Sequence, residues 1–191
     1  MDQLVVRQSI ERMLSEGLGL DLSDPNLIDT PNRVARMFCE ETFSSLIQEP
    51  PKLSMFPNEG YDEIILLDNI PYTSTCSHHL VSFSGLAWCA YIPDEDLIGA
   101  SKVARVINYY SKRPQLQERL AKDVVSYINK IVRPKGILLV MRAVHSCMAF
   151  RGVKTGPGAG MLTSITTGAF RDNIETRNEG IQLILLSSQL R

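Results

Sequence analysis

The amino-acid sequence predicts an α+β fold in which an antiparallel sheet packs against helices. Strand-like segments occur in pairs before and after two helix-like segments, and no internal repeat is present. A chain of 191 residues is long enough for one well-buried domain and too short for two ordinary ones. Within that single domain we distinguish an N-terminal helical region, residues 1–60, from a sheet-containing region, residues 61–191.

Two helices are predicted in the N-terminal region. The first spans about residues 2–18 and ends at a pair of glycines. The second begins at Asp29-Thr30-Pro31, where a polar capping residue precedes a proline suited to the first helical position, and it continues to about Leu46. Residues 48–60 contain three prolines, so we expect an extended connector there.

The sheet-containing region combines strands with two long helices. The predicted strands are residues 63–70, 80–83, 86–92, 136–144 and 161–170, and the predicted helices are residues 101–111 and 115–132. Ser84-Gly85 is predicted to turn the chain between the second and third strands. The fourth strand delivers His145 and Cys147 at its far end. Thr176 and Glu179 form a capping-box pattern, which predicts a short terminal helix.

Composition and charge exclude several classes of protein. The chain is 44% hydrophobic and 21% charged, as is usual for globular proteins, and a net charge of −1 gives no reason to expect nucleic-acid binding. The N-terminus lacks the basic and apolar parts of a secretory signal, and no apolar run approaches the roughly 18 residues of a membrane span. Cys39 and Cys89 are expected to be reduced and buried. These features predict a cytoplasmic enzyme without a nucleic-acid or membrane partner.

The histidines and cysteines are unevenly placed along the chain. All three histidines and two of the four cysteines fall in two short segments, Cys76-Ser77-His78-His79 and His145-Ser146-Cys147. Thiolate and imidazole are the nitrogen and sulfur ligands of zinc. Cys-x-x-His spacing lets one backbone turn present both groups to one ion. The first segment therefore predicts two ligands of one metal site, Cys76 and His79.

A metal held by both segments would have Cys76, His79 and Cys147 as ligands. Three protein ligands leave the fourth tetrahedral position to water, which is typical of catalytic zinc. His78 and His145 would then remain beside the metal as candidate proton carriers. His145 could instead be the fourth ligand of a structural zinc, so the residues alone leave both kinds of site open.

A cluster of basic residues indicates an anion site. Ser101, Lys102 and Arg105 lie in the first turns of a predicted helix, where free backbone N–H groups and the helix dipole favour phosphate. A solvated helix face is the commoner explanation of such a pair of cations. Arg151 and Arg33 could join the cluster only if the fold brings them to it.

The presence of a carboxylate at position 118 has two explanations. Glu118 follows the start of a predicted helix, where the helix dipole alone favours a negative charge. A carboxylate could also accept two parallel hydrogen bonds from the N1–H and exocyclic amine of guanine. The residue type alone does not choose between the two.

Five segments taken together resemble GTP cyclohydrolase I. They are residues 29–35 (DTPNRVA), 73–79 (TSTCSHH), 101–105 (SKVAR), 113–120 (RPQLQERL) and 145–152 (HSCMAFRG). The resemblance runs in order over nearly the whole chain. It implies the tunnelling fold, in which a four-stranded antiparallel sheet backed by two helices, with N-terminal helices, associates with its own copies into an oligomeric barrel. The usual assembly is a homodecamer of two facing pentamers with active sites at subunit interfaces.

The resemblance also implies an activity and a role for each site residue. That activity is the zinc-dependent conversion of GTP and water to 7,8-dihydroneopterin triphosphate and formate, a hydrolysis of cyclic amidine C–N bonds that serves pterin and tetrahydrofolate biosynthesis and thereby one-carbon metabolism. One Zn²⁺ per subunit would be held by Cys76, His79 and Cys147, with His78 and His145 as the catalytic acids and bases. The positions matching guanine recognition are Glu118 and Gln117. Those matching triphosphate recognition are Ser101, Lys102, Arg105, Arg151 and, from a neighbouring subunit, Arg33.

Three departures from the family pattern leave alternatives open. Ser77 stands where the family usually has glutamate, Ala100 replaces a large apolar residue, and residues 156–160 are glycine-rich rather than threonine-rich. None removes a ligand. The alternatives are a divergent zinc enzyme acting on a purine nucleotide that stops at a ring-opened or formylated intermediate, and a noncatalytic zinc-stabilised assembly subunit.

Overall fold

The computed structural model describes residues 1–189 of the chain. Leu190 and Arg191, the end of the predicted region 61–191, lie outside the described residues. The chain divides into two compact units, one from Met1 to Glu49 and the other from Pro50 onward. Among the described residues, no helix is long and apolar enough to cross a membrane.

The N-terminal unit contains the two predicted helices. Helix α1, Gln3–Arg12, is capped by the Asp2 carboxylate, which accepts hydrogen bonds from two backbone N–H groups, and a π-helical turn, Met13–Gly17, extends it. Helix α2, Thr30–Arg36, has Pro31 in its first turn and continues through a π-helical segment and a short 3₁₀ turn, Met37–Thr42 and Ser44–Leu46. The predicted start at Asp29-Thr30-Pro31 is therefore confirmed.

A five-stranded sheet organises the second unit, in the order β5-β2-β3-β6-β7. Four strands pair antiparallel, as predicted: β2, Ile65–Cys76; β3, Ser82–Ile92; β6, Gly136–His145; and β7, Met161–Gly168. A two-residue strand, β5 (Pro114–Gln115), adds a parallel edge beside β2. Strands β1, Met55–Pro57, and β4, Asp96–Ile98, form a separate small sheet.

The predicted turn at Ser84-Gly85 is wrong. Both residues lie inside the continuous strand β3, and the chain reverses between Cys76 and Ser82 instead. A glycine in a strand often marks a close approach of another backbone rather than a turn. Here a Cβ at position 85 would lie 1.8 Å from the Arg142 carbonyl oxygen on β6.

Helices cover both faces of the sheet. Helices α3, Ala100–Ser111, and α4, Gln117–Val132, pack their buried valines, leucines and isoleucines against alternate residues of β6, such as Leu139. The intervening residue Leu138 points to the other face, where it packs with Phe170 and Ile184. The one-turn helices α5 and α6 (Ser146–Ala149 and Ala169–Asp172) precede and follow β7.

The terminal helix differs from the sequence prediction. Helix α7, Ile174–Gln189, is 16 residues long rather than short. Its first turn is capped by Asn173, whose side-chain oxygen accepts hydrogen bonds from the backbone N–H groups of Glu175 and Thr176. The helix therefore begins before the predicted capping box at Thr176 and Glu179, and its length lets Ile184 reach the sheet.

Candidate active site

A tight hairpin between β2 and β3 presents the first two candidate metal ligands. Cys76 is the last residue of β2, and its carbonyl oxygen accepts hydrogen bonds from the backbone N–H groups of His79 and Leu80. Leu80 has a positive φ of 54°, a left-handed conformation that sharpens the reversal. The turn therefore places the side chains of Cys76 and His79 close together, as the Cys-x-x-His spacing predicts.

The third candidate ligand, Cys147, follows strand β6, which is the strand that pairs with β3. Strand β6 pairs with β3 so that His145 lies opposite Phe83, and Cys147 follows in helix α5. The ligand atoms of Cys76, His79 and Cys147 all lie within 4.8 Å of one another. The structure thus brings together the three residues that the sequence analysis selected, and they could hold a metal ion.

The electrostatics of the two thiols suit a cation. Burial raises the pKa of the Cys147 thiol, and the hydrogen bond and charge interaction with Cys76 raise it further, whereas Arg151 opposes the shift. Two neighbouring thiolates repel each other, so a cation between the sulfur atoms would favour ionisation of both. Two sulfurs and one imidazole are a soft donor set, which binds zinc better than magnesium or calcium.

His78 stands beside the triad without joining it. Its ring is exposed and meets the ring of His79 edge to face, with centroids 6.2 Å apart. The three-ligand cluster contains His79 and leaves His78 out. His78 is therefore open to a ligand from solvent.

His145 is held more firmly. Its ring stacks on the buried ring of Phe83, with centroids 4.4 Å apart and an interplanar angle of 2°. Its Nε2 atom lies 2.9 Å from the side-chain oxygen of Gln117. Burial lowers the pKa of His145, and the Glu118 carboxylate opposes this by favouring the charged ring. Like His78, His145 lies outside the three-ligand cluster.

Gln117, which the resemblance matches to guanine recognition, is surrounded by protein groups. The side chain is fully buried, and its amide nitrogen contacts the Met141 and Met161 carbonyl oxygens and the Thr163 hydroxyl. All of its described polar contacts are to protein groups. Neither this network nor the stacking of Phe83 was predictable from the sequence, because each depends on strand register that no local motif encodes.

Helix α4 is tied to the metal turn at its N-terminus. The backbone N–H of Ser77 donates to the carbonyl oxygen of Gln115, and Cys76 pairs with the same residue in the parallel β2–β5 contact. The Gln115 side chain is buried and bonded to Asp123 and Arg119. These hydrogen bonds fix the start of α4, where the Glu118 side chain is exposed in the first turn.

The basic residues lie in two helices and one loop, and they belong to both units. Ser101, Lys102 and Arg105 lie in the first two turns of α3, with Ser101 and Arg105 exposed and Lys102 half-buried. Arg151 is exposed, and its charge acts on Cys147. Arg33 lies in the N-terminal unit, where its guanidinium is 3.0 Å from the Asp29 carboxylate. Within residues 1–189, Lys102, Arg105 and Arg151 form no ion pair with a protein carboxylate.

Comparison with known proteins gives a consistent result over the length of the chain. A family model described as GTP cyclohydrolase I matches residues 6–185. The GTP cyclohydrolase 1 of Carboxydothermus hydrogenoformans is 43% identical over 193 residues, covering 98% of this chain and 100% of the relative. The protein of the same name from Clostridioides difficile is also 43% identical and covers 97% and 98% of the two chains. That of Mycobacterium tuberculosis is 42% identical and covers 91% and 87%.

One solved structure is also similar in part. The apo crystal structure of an archaeosine synthase QueF-Like protein superposes with a TM-score of 0.46 at 17% sequence identity. The superposition covers 56% of this chain and 94% of that chain.

Proposed function

The chain belongs to the GTP cyclohydrolase I family, and on that basis we propose that it converts GTP and water to 7,8-dihydroneopterin triphosphate and formate. One observation carries the assignment of the site: Cys76, His79 and Cys147 converge to within 4.8 Å. His145 lies two residues before one of these ligands, and the charge of Glu118 reaches it. Three potential metal ligands, a half-buried imidazole and the charge of a nearby carboxylate therefore support a catalytic site at this end of the sheet.

Zinc is the metal that these donors fit best. Two cysteines and one histidine provide three soft or borderline ligands, and the fourth position is left for a water molecule. When bound, zinc supplies a Lewis acid that lowers the pKa of water from 15.7 to about 7, which makes an attacking group available at neutral pH. Cys76 and Cys147 would hold it as thiolates, one ion per subunit.

The two remaining histidines divide the proton transfers. His78 is exposed next to His79, so it can protonate the imidazole nitrogens of the purine as their bonds to C8 break. His145 is half-buried, stacks on Phe83 and would move protons on the ribose as it opens and rearranges. Ser101 offers a hydroxyl for the same stage. C8 leaves as the carbon of formate, and the opened ribose supplies the carbons of the new ring.

Base and triphosphate recognition fall to the charged residues around these groups. Glu118 would accept hydrogen bonds from the N1–H and the exocyclic amine of guanine. The triphosphate would be bound by Lys102, Arg105 and Arg151, with Arg33 contributed by a neighbouring subunit. These contacts supply binding energy remote from the reacting carbon, which can be used to orient the purine at the metal.

The proposal extends to the assembly and its location. We infer a homodecamer of two facing pentamers with active sites at subunit interfaces, built from a 1–60 helical region and a 61–191 catalytic region within one domain. The described cysteines are all free, as expected for a protein kept in the reducing cytoplasm. The inference of a cytoplasmic enzyme rests on this and on family membership.

Product analysis tests the proposed reaction. The purified, zinc-loaded protein is incubated with GTP, and formate and the fluorescent pterin formed after oxidation are measured in the same samples. Equal amounts of formate and pterin are expected. Formate without pterin, or a formylated pyrimidine without either, would show that the reaction stops early. Absence of any GTP consumption by zinc-loaded protein would overturn the proposal.

A further inference from the structure

We propose that Gln117 is a positioning residue, which holds the His145 imidazole with its proton on Nε2 and leaves Nδ1 as the nitrogen that exchanges protons with the substrate. The inference rests on the function proposed above, because it assumes that His145 takes part in turnover. It assigns to Gln117 an action through His145.

The orientation of the Gln117 carboxamide follows from its surroundings. The amide nitrogen lies 3.0 Å from the Met141 carbonyl oxygen, 3.1 Å from that of Met161 and 3.1 Å from the Thr163 hydroxyl. Backbone carbonyl oxygens can only accept hydrogen bonds. The NH₂ group must therefore face the two strands, and reversing the amide would leave three oxygens in contact inside a fully buried site.

That orientation determines the tautomer of His145. With the NH₂ group directed at β6 and β7, the carboxamide oxygen faces the imidazole, 2.9 Å from Nε2. A carboxamide oxygen cannot donate, so Nε2 must carry the hydrogen in both the neutral and the cationic ring. In the neutral ring the lone pair then belongs to Nδ1, which has no hydrogen-bond partner among the described residues.

The ring is also prevented from turning over. Phe83 stacks against it at 4.4 Å and only 2° from parallel, so rotation about the Cβ–Cγ bond would drive the ring into its neighbour. A turned ring would place a carbon opposite the Gln117 oxygen and lose the hydrogen bond. The two contacts therefore restrain the plane and the direction of the imidazole together, as orienting partners do in other acid–base sites.

A purely structural role would account for only half of this arrangement. Binding to the Met141 and Met161 carbonyl oxygens joins neighbouring strands, and that function needs only the amide nitrogen. The oxygen could then face any buried donor. Its contact with His145 is what distinguishes a positioning role from a strand tie.

The tautomer can be measured directly. Nitrogen-15 histidine labelling of the zinc-loaded protein marks only three residues, and solid-state NMR of the sedimented protein imposes no size limit. At about pH 8.5 a neutral ring is expected for an ordinary histidine. We expect the His145 signals, assigned with a His145→Gln variant, to show a protonated Nε2 and an unprotonated Nδ1. The opposite tautomer, or an equal mixture, would overturn the proposal whether or not the protein acts on GTP.

Two variants separate positioning from stability. Gln117→Met keeps the length of the side chain but removes both hydrogen-bonding ends, and we expect kcat to fall about 10–100-fold with KM for GTP changed less than about threefold. Thr163→Val is the matched control, because it removes one contact of the amide nitrogen and leaves both carbonyls to orient the group. It should keep the wild-type tautomer and kcat.

The kinetic outcomes are decisive in either direction. An unchanged kcat in a folded Gln117→Met variant would contradict the proposal, as would a mixed tautomer in Thr163→Val with normal turnover. If Gln117→Met does not fold, the wild-type NMR result alone decides the tautomer, and Thr163→Val reports whether the carbonyls suffice to orient the amide.

Discussion

At the residue scale, the two sulfur atoms of the site depend on each other. Burial raises the pKa of the half-buried Cys147, and its interaction with the buried Cys76 raises this pKa further. A bound cation reverses this preference because it attracts both thiolates. Removing either sulfur therefore does more than subtract one bond, since the remaining cysteine and His79 form an incomplete donor set.

Cys147→Ala is expected to abolish metal binding. Two ligands rarely retain zinc, so occupancy should fall from about one ion per subunit to less than about one tenth, together with turnover. Elemental analysis after gel filtration measures the occupancy. Cys39→Ala is the control, because Cys39 is a buried thiol in the N-terminal unit that does not belong to the cluster. Full zinc occupancy in the Cys147 variant would remove this residue from the ligand set.

Glu118→Gln should weaken recognition of the guanine base. The new amide presents a donor to a guanine donor, a mismatch expected to cost about 1–3 kcal/mol, or roughly 5–150-fold in affinity for GTP. Binding is measured by titration calorimetry in a His78→Ala background, where turnover is suppressed. Glu175→Gln is the control for a carboxylate in the first turn of a helix elsewhere. Unchanged affinity in the Glu118 variant would place base recognition at another residue.

Residue chemistry made part of this site predictable and left part of it hidden. Cys76, His79 and Cys147 could be selected because few side chains bind zinc and their spacing fits one turn. Gln117 and Phe83 could not, since an amide and a phenyl ring are found in every kind of environment. Their contacts with His145 exist only because the β3–β6 and β6–β7 registers bring them there.

At the element scale, one glycine determines how strands β3 and β6 meet. Gly85 pairs with Ala143, and the strands approach so closely that a Cβ would lie 1.8 Å from one backbone oxygen and 2.7 Å from a Cα. Neither backbone atom can move as the end of a flexible side chain does. The same pairing sets His145 opposite Phe83, so this contact also positions the active site.

Gly85→Ala is therefore expected to be severely destabilising. Overpacking against backbone should cost about 3 kcal/mol or more, or prevent folding, and urea unfolding monitored by circular dichroism measures the loss. Gly158→Ala has open space around the added methyl group and should change the free energy of unfolding by less than about 0.5 kcal/mol. Equal stabilities for the two variants would contradict the close approach.

The predicted turn and the predicted start of the terminal helix were wrong because the same residue types occur in more than one kind of local structure. Ser84-Gly85 resembles a turn because glycine is frequent in turns, yet here it allows close strand contact. Thr176 and Glu179 match a capping box, but Asn173 caps the helix three residues earlier. The order of strands and helices was predictable from hydrophobic periodicity, whereas the exact reversals depend on partners distant in sequence.

At the scale of the whole molecule, the proposal that a neighbouring subunit contributes Arg33 concerns the assembly. Arg33 belongs to the N-terminal unit and pairs with Asp29, whereas the metal ligands and His145 belong to the other. In a closed ring of identical subunits, each site can combine residues from two copies. A single sequence contains no direct signal for this sharing, since both contributors are the same chain.

Complementation tests whether the site is shared. Arg33→Ala and His145→Ala should each be nearly inactive alone, the first through loss of a triphosphate contact and the second through loss of a proton carrier. If Arg33 acts on a neighbour, co-refolding the two variants at equal concentration should give about one quarter intact sites by random assortment, with a corresponding share of wild-type activity. If both residues served the same subunit's site, every site would keep one defect and no activity would return. Mixing without unfolding is the control, because intact assemblies that do not exchange subunits should stay inactive.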